Sequence, residues 1–205
     1  AFAGPEPSCI SSPAPIAKSP IASSTRRWSR DFAIEECTFG CSVENEHFPL
    51  QPNRTWILEG NQDGELMHVE IRVLEGLKVI DGVACRVVEE ARTVDGALEE
   101  ISRICYAIDI LTRNVFCFGE SVDEYVDGVV VSHDGSWEAG KDGAEAGMVM
   151  PGTILIGARF QQHLAPGISE DRSEILEHPE PAKTPAGVFE GCVKIEETSP
   201  LEPDE

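Results

Sequence analysis

Six Asp-Gly pairs fall between residues 63 and 143, and most of them separate short runs rich in valine, isoleucine and aromatic residues. Both central positions of a tight type I′ hairpin turn need a positive φ, which glycine accepts freely and aspartate tolerates better than most residues. The pattern predicts an all-β protein, a single antiparallel meander that forms a strongly curved sheet or an open barrel, with little helix. The predicted strands cover residues 55–59, 65–74, 83–94, 97–109, 114–119, 129–132, 158–164, 173–178 and 188–198.

The domain organisation follows from length and composition. A chain of 205 residues fits one domain. Residues 1–47 are predicted to be a poorly ordered tail or targeting remnant, and residues 48–205 the antiparallel β domain. The first thirty residues are rich in serine, proline and arginine and contain one acid, a composition typical of an organellar transit segment. The alternative is a disordered tail that carries no targeting signal.

Charge and hydropathy restrict the partners. The formal net charge of −21 disfavours binding to nucleic acid or to anionic lipid. The sequence contains no run of about 18 apolar residues, so no transmembrane segment is predicted. A small molecule or a protein remains the expected partner. No cofactor and no metal site is expected, and the oligomeric state is left open.

Seven cysteines are many for a cytosolic chain of this size and favour an oxidising compartment. If the turn after strand 97–109 centres near Leu111, Cys105 lies opposite Cys117. Directly opposed residues of a non-hydrogen-bonded antiparallel pair have Cα atoms about 4.5 Å apart, near the lower limit for a disulfide. The two cysteines therefore form either a disulfide or a pair of buried free thiols.

Several separate motifs carry a family resemblance. Phe48-Pro-Leu-x-Pro with Trp56, Gly135-Ser-Trp-Glu-Ala-Gly-x-Asp-Gly-Ala144, Met150-Pro and Gly191-Cys192-x-Lys occur in this order. Together they resemble a widespread family of uncharacterised bacterial secreted or lipoprotein-type β proteins, over residues 48–203.

The resemblance implies an antiparallel β domain exported from the cytosol, and it implies a disulfide between Cys85 and Cys192. It also implies one more aromatic strand after Pro203, so the domain is predicted to be truncated at its C-terminal edge. The expected location is extracytoplasmic, or a plastid or other organelle if residues 1–30 are a transit segment.

The best candidate for a functional site is the glycine-rich loop of residues 134–152. Two Asp-Gly pairs bracket an aromatic residue and acids there, in a segment without strand periodicity. The candidate ligand-binding residues are Trp137, Glu138, Asp142 and Glu145 of the loop, with Tyr106 and His163 from flanking strands.

Three functions are compatible with such a site. The first is a non-catalytic binding or structural module whose curved face holds an apolar or cationic ligand. The second is a hydrolase-like enzyme that uses acids of the loop with His133 or His163; the sequence shows no catalytic motif for it, and no catalytic residue is assigned. The third is an assembly module completed by edge-strand pairing.

Overall fold

The structure is a computed structural model and describes residues 27–201. Within this range it contains one short 3-10 helix, Ile34–Glu36, and twelve strands. The strands are β1 (Phe39–Gly40), β2 (Thr55–Gln62), β3 (Glu65–Ile80), β4 (Val83–Val94), β5 (Ala97–Asp109), β6 (Val115–Val126), β7 (Val129–Ser132), β8 (Trp137–Glu138), β9 (Gly147–Met150), β10 (Arg159–Gln161), β11 (Arg172–Thr184) and β12 (Gly187–Thr198). Residues 1–26 of the predicted transit segment, Cys9 among them, and the predicted truncated edge beyond residue 201 lie outside the described residues.

Strands β2 to β7 form the predicted meander, in chain order across one sheet. Four of the Asp-Gly pairs close its hairpins, at residues 63, 81, 95 and 127, and both residues of each pair have a positive φ. That is the geometry of a type I′ turn. The sheet is curved and antiparallel and does not close into a barrel. The all-β prediction is confirmed.

The chain leaves the meander after β7. The short strands β8 and β9 pair with β6, and residues between them form turns. Strands β10, β11 and β12 then build a second, three-stranded antiparallel sheet, so the chain is not a single meander throughout. The outer part of the β11–β12 hairpin, residues 180–192, is called the hairpin arm below.

The segment before β2 packs on the large sheet. The Phe32 ring meets Phe116 at a centroid distance of 5.8 Å, and the Phe39 ring meets Phe118 at 5.2 Å. Strand β1 pairs with the end of β5. Residues 1–47 are predicted to be a poorly ordered tail, whereas residues 27–47 of that range cover one end of the core. Phe32 and Phe39 contribute to that attachment together with Ile34 and Val43.

The two faces of the large sheet differ in polarity. Residues directly opposite each other in antiparallel strands share a face, which places Trp56, Ile71, Glu90, Ser102 and Val122 in one row. This face is largely apolar and is turned toward the hairpin arm.

The opposite face carries ion pairs. Arg103 donates to Glu89 at 2.9 Å and to Asp123 at 3.0 Å, and Arg72 pairs with Glu70 at 2.8 Å. These side chains are partly exposed, so each pair contributes only about 0–1 kcal/mol to stability.

The cysteine prediction fails in its register. A bulge between Cys105 and Tyr106 places Cys105 opposite Gly119 and Tyr106 opposite Cys117. Both cysteines are buried free thiols, which is the alternative that the sequence left open. The predicted Cys85–Cys192 disulfide is also absent from the structure: Cys85 is buried in β4 of the large sheet, and Cys192 lies partly exposed on β12 of the second sheet.

Thiol labelling of the native protein should follow burial. We expect iodoacetamide to modify the exposed Cys41 first and to leave Cys85, Cys105 and Cys117 unmodified until the protein unfolds. Burial raises the pKa of Cys85 to about 12, so the reactive thiolate is scarce as well as inaccessible. Peptide mapping by mass spectrometry resolves each site. A disulfide-linked peptide containing any of these three cysteines would contradict the prediction.

Candidate functional site

A cleft of about 940 Å³ lies between the apolar face of the large sheet and the hairpin arm. Its walls come from the segment before β2, from strands β2 to β5 and from the tip of the arm. The lining residues are His47, Phe48, Pro49, Leu50, Trp56, Ile57, Leu58, Glu59, Ile71, Val73, Val88, Glu90, Tyr106, Thr184, Pro185, Ala186 and Phe189. Small-molecule sites typically have volumes of about 300–1,000 Å³, so the cleft has room for one ligand.

Asn45 fixes the segment that forms one wall. It is 4% exposed, and its amide nitrogen donates to the carbonyl oxygens of Arg113 at 2.9 Å and Pro151 at 3.2 Å. Its side-chain oxygen accepts hydrogen bonds from the backbone N–H groups of His47 at 2.9 Å and Phe48 at 3.1 Å. This buried amide therefore sets where the Phe48 ring enters the cleft.

Aromatic rings from three separate segments meet in the cleft. Phe48 packs edge-on against Tyr106 with a centroid distance of 4.9 Å. Trp56 lies on β2, and the guanidinium of Arg54 stacks over its ring at 5.0 Å. Trp56 thus already contacts one cation, although Arg54 does not itself line the cleft.

One carboxyl group of the largely apolar face, that of Glu90, lies in the wall of the cleft. Glu90 is half-buried in the cleft wall and has no hydrogen-bonding or cationic partner among residues 27–201. Burial raises its pKa, and the negative charges of Glu120 and Glu100 raise it further. A charge without a partner is costly in a wall formed mostly by apolar side chains, and Glu90 occupies such a position.

The predicted loop encloses a second, smaller pocket of about 270 Å³. Gly119 permits this arrangement, because a Cβ there would lie 2.6 Å from the Trp137 carbonyl oxygen, and its φ of +155° is unfavourable for other residues. Glu138 accepts hydrogen bonds from Lys141 and from Lys78, the latter at 2.6 Å. These bonds lower the pKa of Glu138 and hold its carboxylate in the loop structure.

The six predicted site residues fall in different places. Trp137, Glu138 and Asp142 line the smaller pocket, and Tyr106 lines the large cleft. Glu145 lines neither, and its backbone N–H donates to the Leu164 carbonyl at 2.9 Å. The remaining one, His163, packs against the Trp137 ring at a centroid distance of 5.7 Å.

His163 belongs to a hydrogen-bonded cluster. Its Nδ1 lies 2.8 Å from Asp171 Oδ2 and 2.9 Å from Ser169 Oγ. In a Ser-His-Asp triad the serine and the carboxylate bind different nitrogens of the imidazole. Here both face the same nitrogen, so the cluster is not arranged as a triad. His133 lies elsewhere, with Nδ1 2.9 Å from Asp123 Oδ1 on an exposed part of the sheet.

The sequence did not identify most of the residues that line the large cleft. One sequence pattern did indicate a polar group on the apolar face of the sheet. Glu89 and Glu90 are adjacent on a strand, and neighbouring strand residues point to opposite faces. One of the two acids must therefore face the apolar side of the sheet. Trp56 and Leu58 follow the same alternation on β2, although nothing in the sequence shows that the hairpin arm lies over them.

No metal site accompanies these pockets. In the part of the chain that the structure describes, no group of three or more His, Cys, Asp or Glu side chains could hold a metal ion. In the same part, no helix is long and apolar enough to cross a membrane.

Comparison of the chain with protein-family models, with curated proteins and with solved structures found no match. The family resemblance therefore stays a prediction.

Proposed function

We propose that this protein is a non-catalytic binding domain that holds one small, largely apolar molecule in the cleft between the large sheet and the hairpin arm. The cleft itself is the observation that carries the proposal. It has the volume of a ligand site, and aliphatic and aromatic side chains form most of its wall.

The mouth of the cleft supports this function. Ile57, Leu58 and Phe189 line it and are 63%, 51% and 53% exposed. Large apolar groups that stand together in water mark binding surfaces more often than isolated ones do. A ligand that covers them gains about 25 cal/mol for each Å² of apolar surface removed from water.

A neutral fluorescent probe tests the proposal. N-phenyl-1-naphthylamine should bind the native protein with a stoichiometry of one, with a blue-shifted and enhanced emission. The variant Leu58→Asp places a charge in the wall of the cleft and should weaken binding by about tenfold or more, because the charge must be desolvated.

Leu66→Asp is the matched control. Leu66 is 55% exposed, close to the value for Leu58, but it does not line the cleft. The register places it on the other face of the sheet, opposite Asn61. This variant should bind the probe as the native protein does. Absence of stoichiometric binding, or equal losses in the two variants, would overturn the proposed function.

The other predicted functions differ in what supports them. The smaller pocket at the Trp137 loop provides a place for the predicted ligand face or for hydrolase chemistry with His163, but no geometry favours catalysis. Assembly by edge pairing stays a prediction that a size measurement in solution can check. The predicted extracytoplasmic or organellar location likewise stays a prediction.

A further inference from the structure

The ionisable groups that line the cleft are unbalanced in charge, with more acids than bases. They are His47, Glu59 and Glu90, together with the Tyr106 phenol, and no lysine or arginine of the described chain is among the lining residues. A site for a fatty acid or another anion usually places a cationic group at the position of the ligand's charge. Among the described residues, this lining holds two carboxyl groups and neither lysine nor arginine, so its charge disfavours an anionic ligand.

Glu90 provides a specific anchor for the opposite charge. Its carboxylate opens into the cleft and has no hydrogen-bonding or cationic partner within residues 27–201. A cation placed beside it would receive a charge-assisted contact and would compensate a carboxylate that is otherwise buried without a partner.

The aromatic lining adds a second attraction for a cation. Phe48, Trp56 and Tyr106 all line the same cleft, and ring faces attract ammonium groups, most strongly when water is excluded. The Arg54 guanidinium over Trp56 shows that one of these rings already makes a contact of this kind.

We propose that the ligand of this cleft is a cationic amphiphile, with an ammonium head group against Glu90 and an apolar body along the sheet. This inference rests on the proposed function and adds the chemical class of the ligand. The apolar wall formed by Leu58, Ile71 and Val88 contacts the apolar body of the ligand. The Glu90 carboxylate binds the ammonium head group and so determines its charge.

Three probes with the same alkyl chain separate the possibilities: decyltrimethylammonium, decanol and decanoate, each titrated calorimetrically below its micellar concentration. We expect decyltrimethylammonium to bind about tenfold or more tightly than decanol, and decanoate to bind most weakly. In Glu90→Gln, which keeps the shape of the side chain, affinity for the ammonium probe should fall about tenfold while affinity for decanol is retained.

Glu65→Gln is the matched control, since it removes the same charge at an exposed position of β3 that does not line the cleft. Its loss should change affinity for the ammonium probe by less than about threefold. A comparable loss in the two variants would show a general field effect and would overturn the role of Glu90.

The pH dependence gives an independent readout. Burial and the charges of Glu100 and Glu120 raise the pKa of Glu90, and only its ionised form attracts a cation. Affinity for the ammonium probe should be full above this pKa and should decrease as the pH falls through it, whereas affinity for decanol should not follow this titration. The other titratable groups that face the cleft are Glu59, His47 and Tyr106.

The outcomes distinguish the two proposals. If none of the three probes binds, the proposed function itself fails. If decanol binds as tightly as the ammonium probe, or decanoate binds best, the cleft binds ligands but the inference of a cationic head is wrong. If Glu90→Gln leaves the order of affinities unchanged, the inference is also wrong. Circular dichroism and thermal unfolding confirm that each variant is folded.

Discussion

Replacing Asp109 with alanine is expected to lower the free energy of unfolding by about 3 kcal/mol or more. Asp109 ends β5 and is 2% exposed. Its carboxylate accepts hydrogen bonds from the Thr38 N–H at 3.0 Å, the Thr112 N–H at 2.9 Å and the Thr112 hydroxyl at 2.6 Å. Hydrogen bonds to a charged group are worth about 1.5–3 kcal/mol each, and the alanine variant leaves three donors unpaired in a partly buried place.

Urea denaturation measures this loss, with Asp134→Ala as the control. Asp134 is exposed in a turn, and its removal should change stability by less than about 0.5 kcal/mol. If Asp109→Ala lost less than about 1 kcal/mol, the carboxylate would not be the link between β1 and the β5–β6 turn that the structure indicates.

Asp109 should also make the free energy of unfolding depend on pH in the acidic range. Burial alone would raise its pKa, but hydrogen bonds from Thr112, Thr38 and the backbone outweigh this, and the pKa lies below its usual range. A depressed folded pKa stabilises the protein above the unfolded pKa of about 3.9, and this contribution is lost as the pH falls through the folded value. The stability difference between the native protein and Asp109→Asn should therefore shrink below about pH 4.

The hairpin turns and strand boundaries could be predicted because short segments of sequence determine them. An Asp-Gly pair between two strand patterns favours the positive-φ backbone of a tight turn, so the hairpins at residues 63, 81, 95 and 127 could be found without any tertiary information. Strand alternation is equally local, which is why β4 and β7 begin and end where the pattern predicts.

The Cys105 register failed for a non-local reason. The bulge on β6 lies next to Gly119, where the backbone of Trp137 approaches so closely that a Cβ would not fit. A residue eighteen positions further along the chain thus determines which side chain faces Cys105. Turn geometry alone could not reveal it, because the loop that carries Trp137 is not part of that hairpin.

The candidate site was only partly predictable for the same reason. The Trp137 loop forms a pocket of its own, and residues close in sequence make much of it. The larger cleft is formed by Phe48, strands β2 to β5 and the arm tip near Phe189, which are far apart in the chain. Only Tyr106 of the predicted residues lies there. The adjacent acids Glu89 and Glu90 were a local sign of a polar group on the face that lines the cleft.

Gly147→Ala is expected to reduce the free energy of unfolding by about 3 kcal/mol, at the upper end of the range for overpacking. Gly147 begins β9 and pairs with Cys117 of β6. A Cβ on it would lie 2.4 Å from the Gln162 carbonyl oxygen and 3.0 Å from that of Gln161. Both contacts are to backbone, which cannot rotate away as a side chain could. The large sheet and the second sheet would have to separate at this point.

Gly60→Ala is the matched control, because a Cβ on this exposed strand residue meets nothing within 4 Å. Its stability should stay unchanged or rise by up to about 1 kcal/mol, since alanine restricts the unfolded chain. Separation at Gly147 should also shift the hairpin arm, which continues from the second sheet and covers the cleft. Gly147→Ala should therefore weaken binding of N-phenyl-1-naphthylamine under conditions in which the variant is still folded. Retained probe affinity in a folded but destabilised Gly147→Ala protein would show that the position of the arm does not define the ligand site.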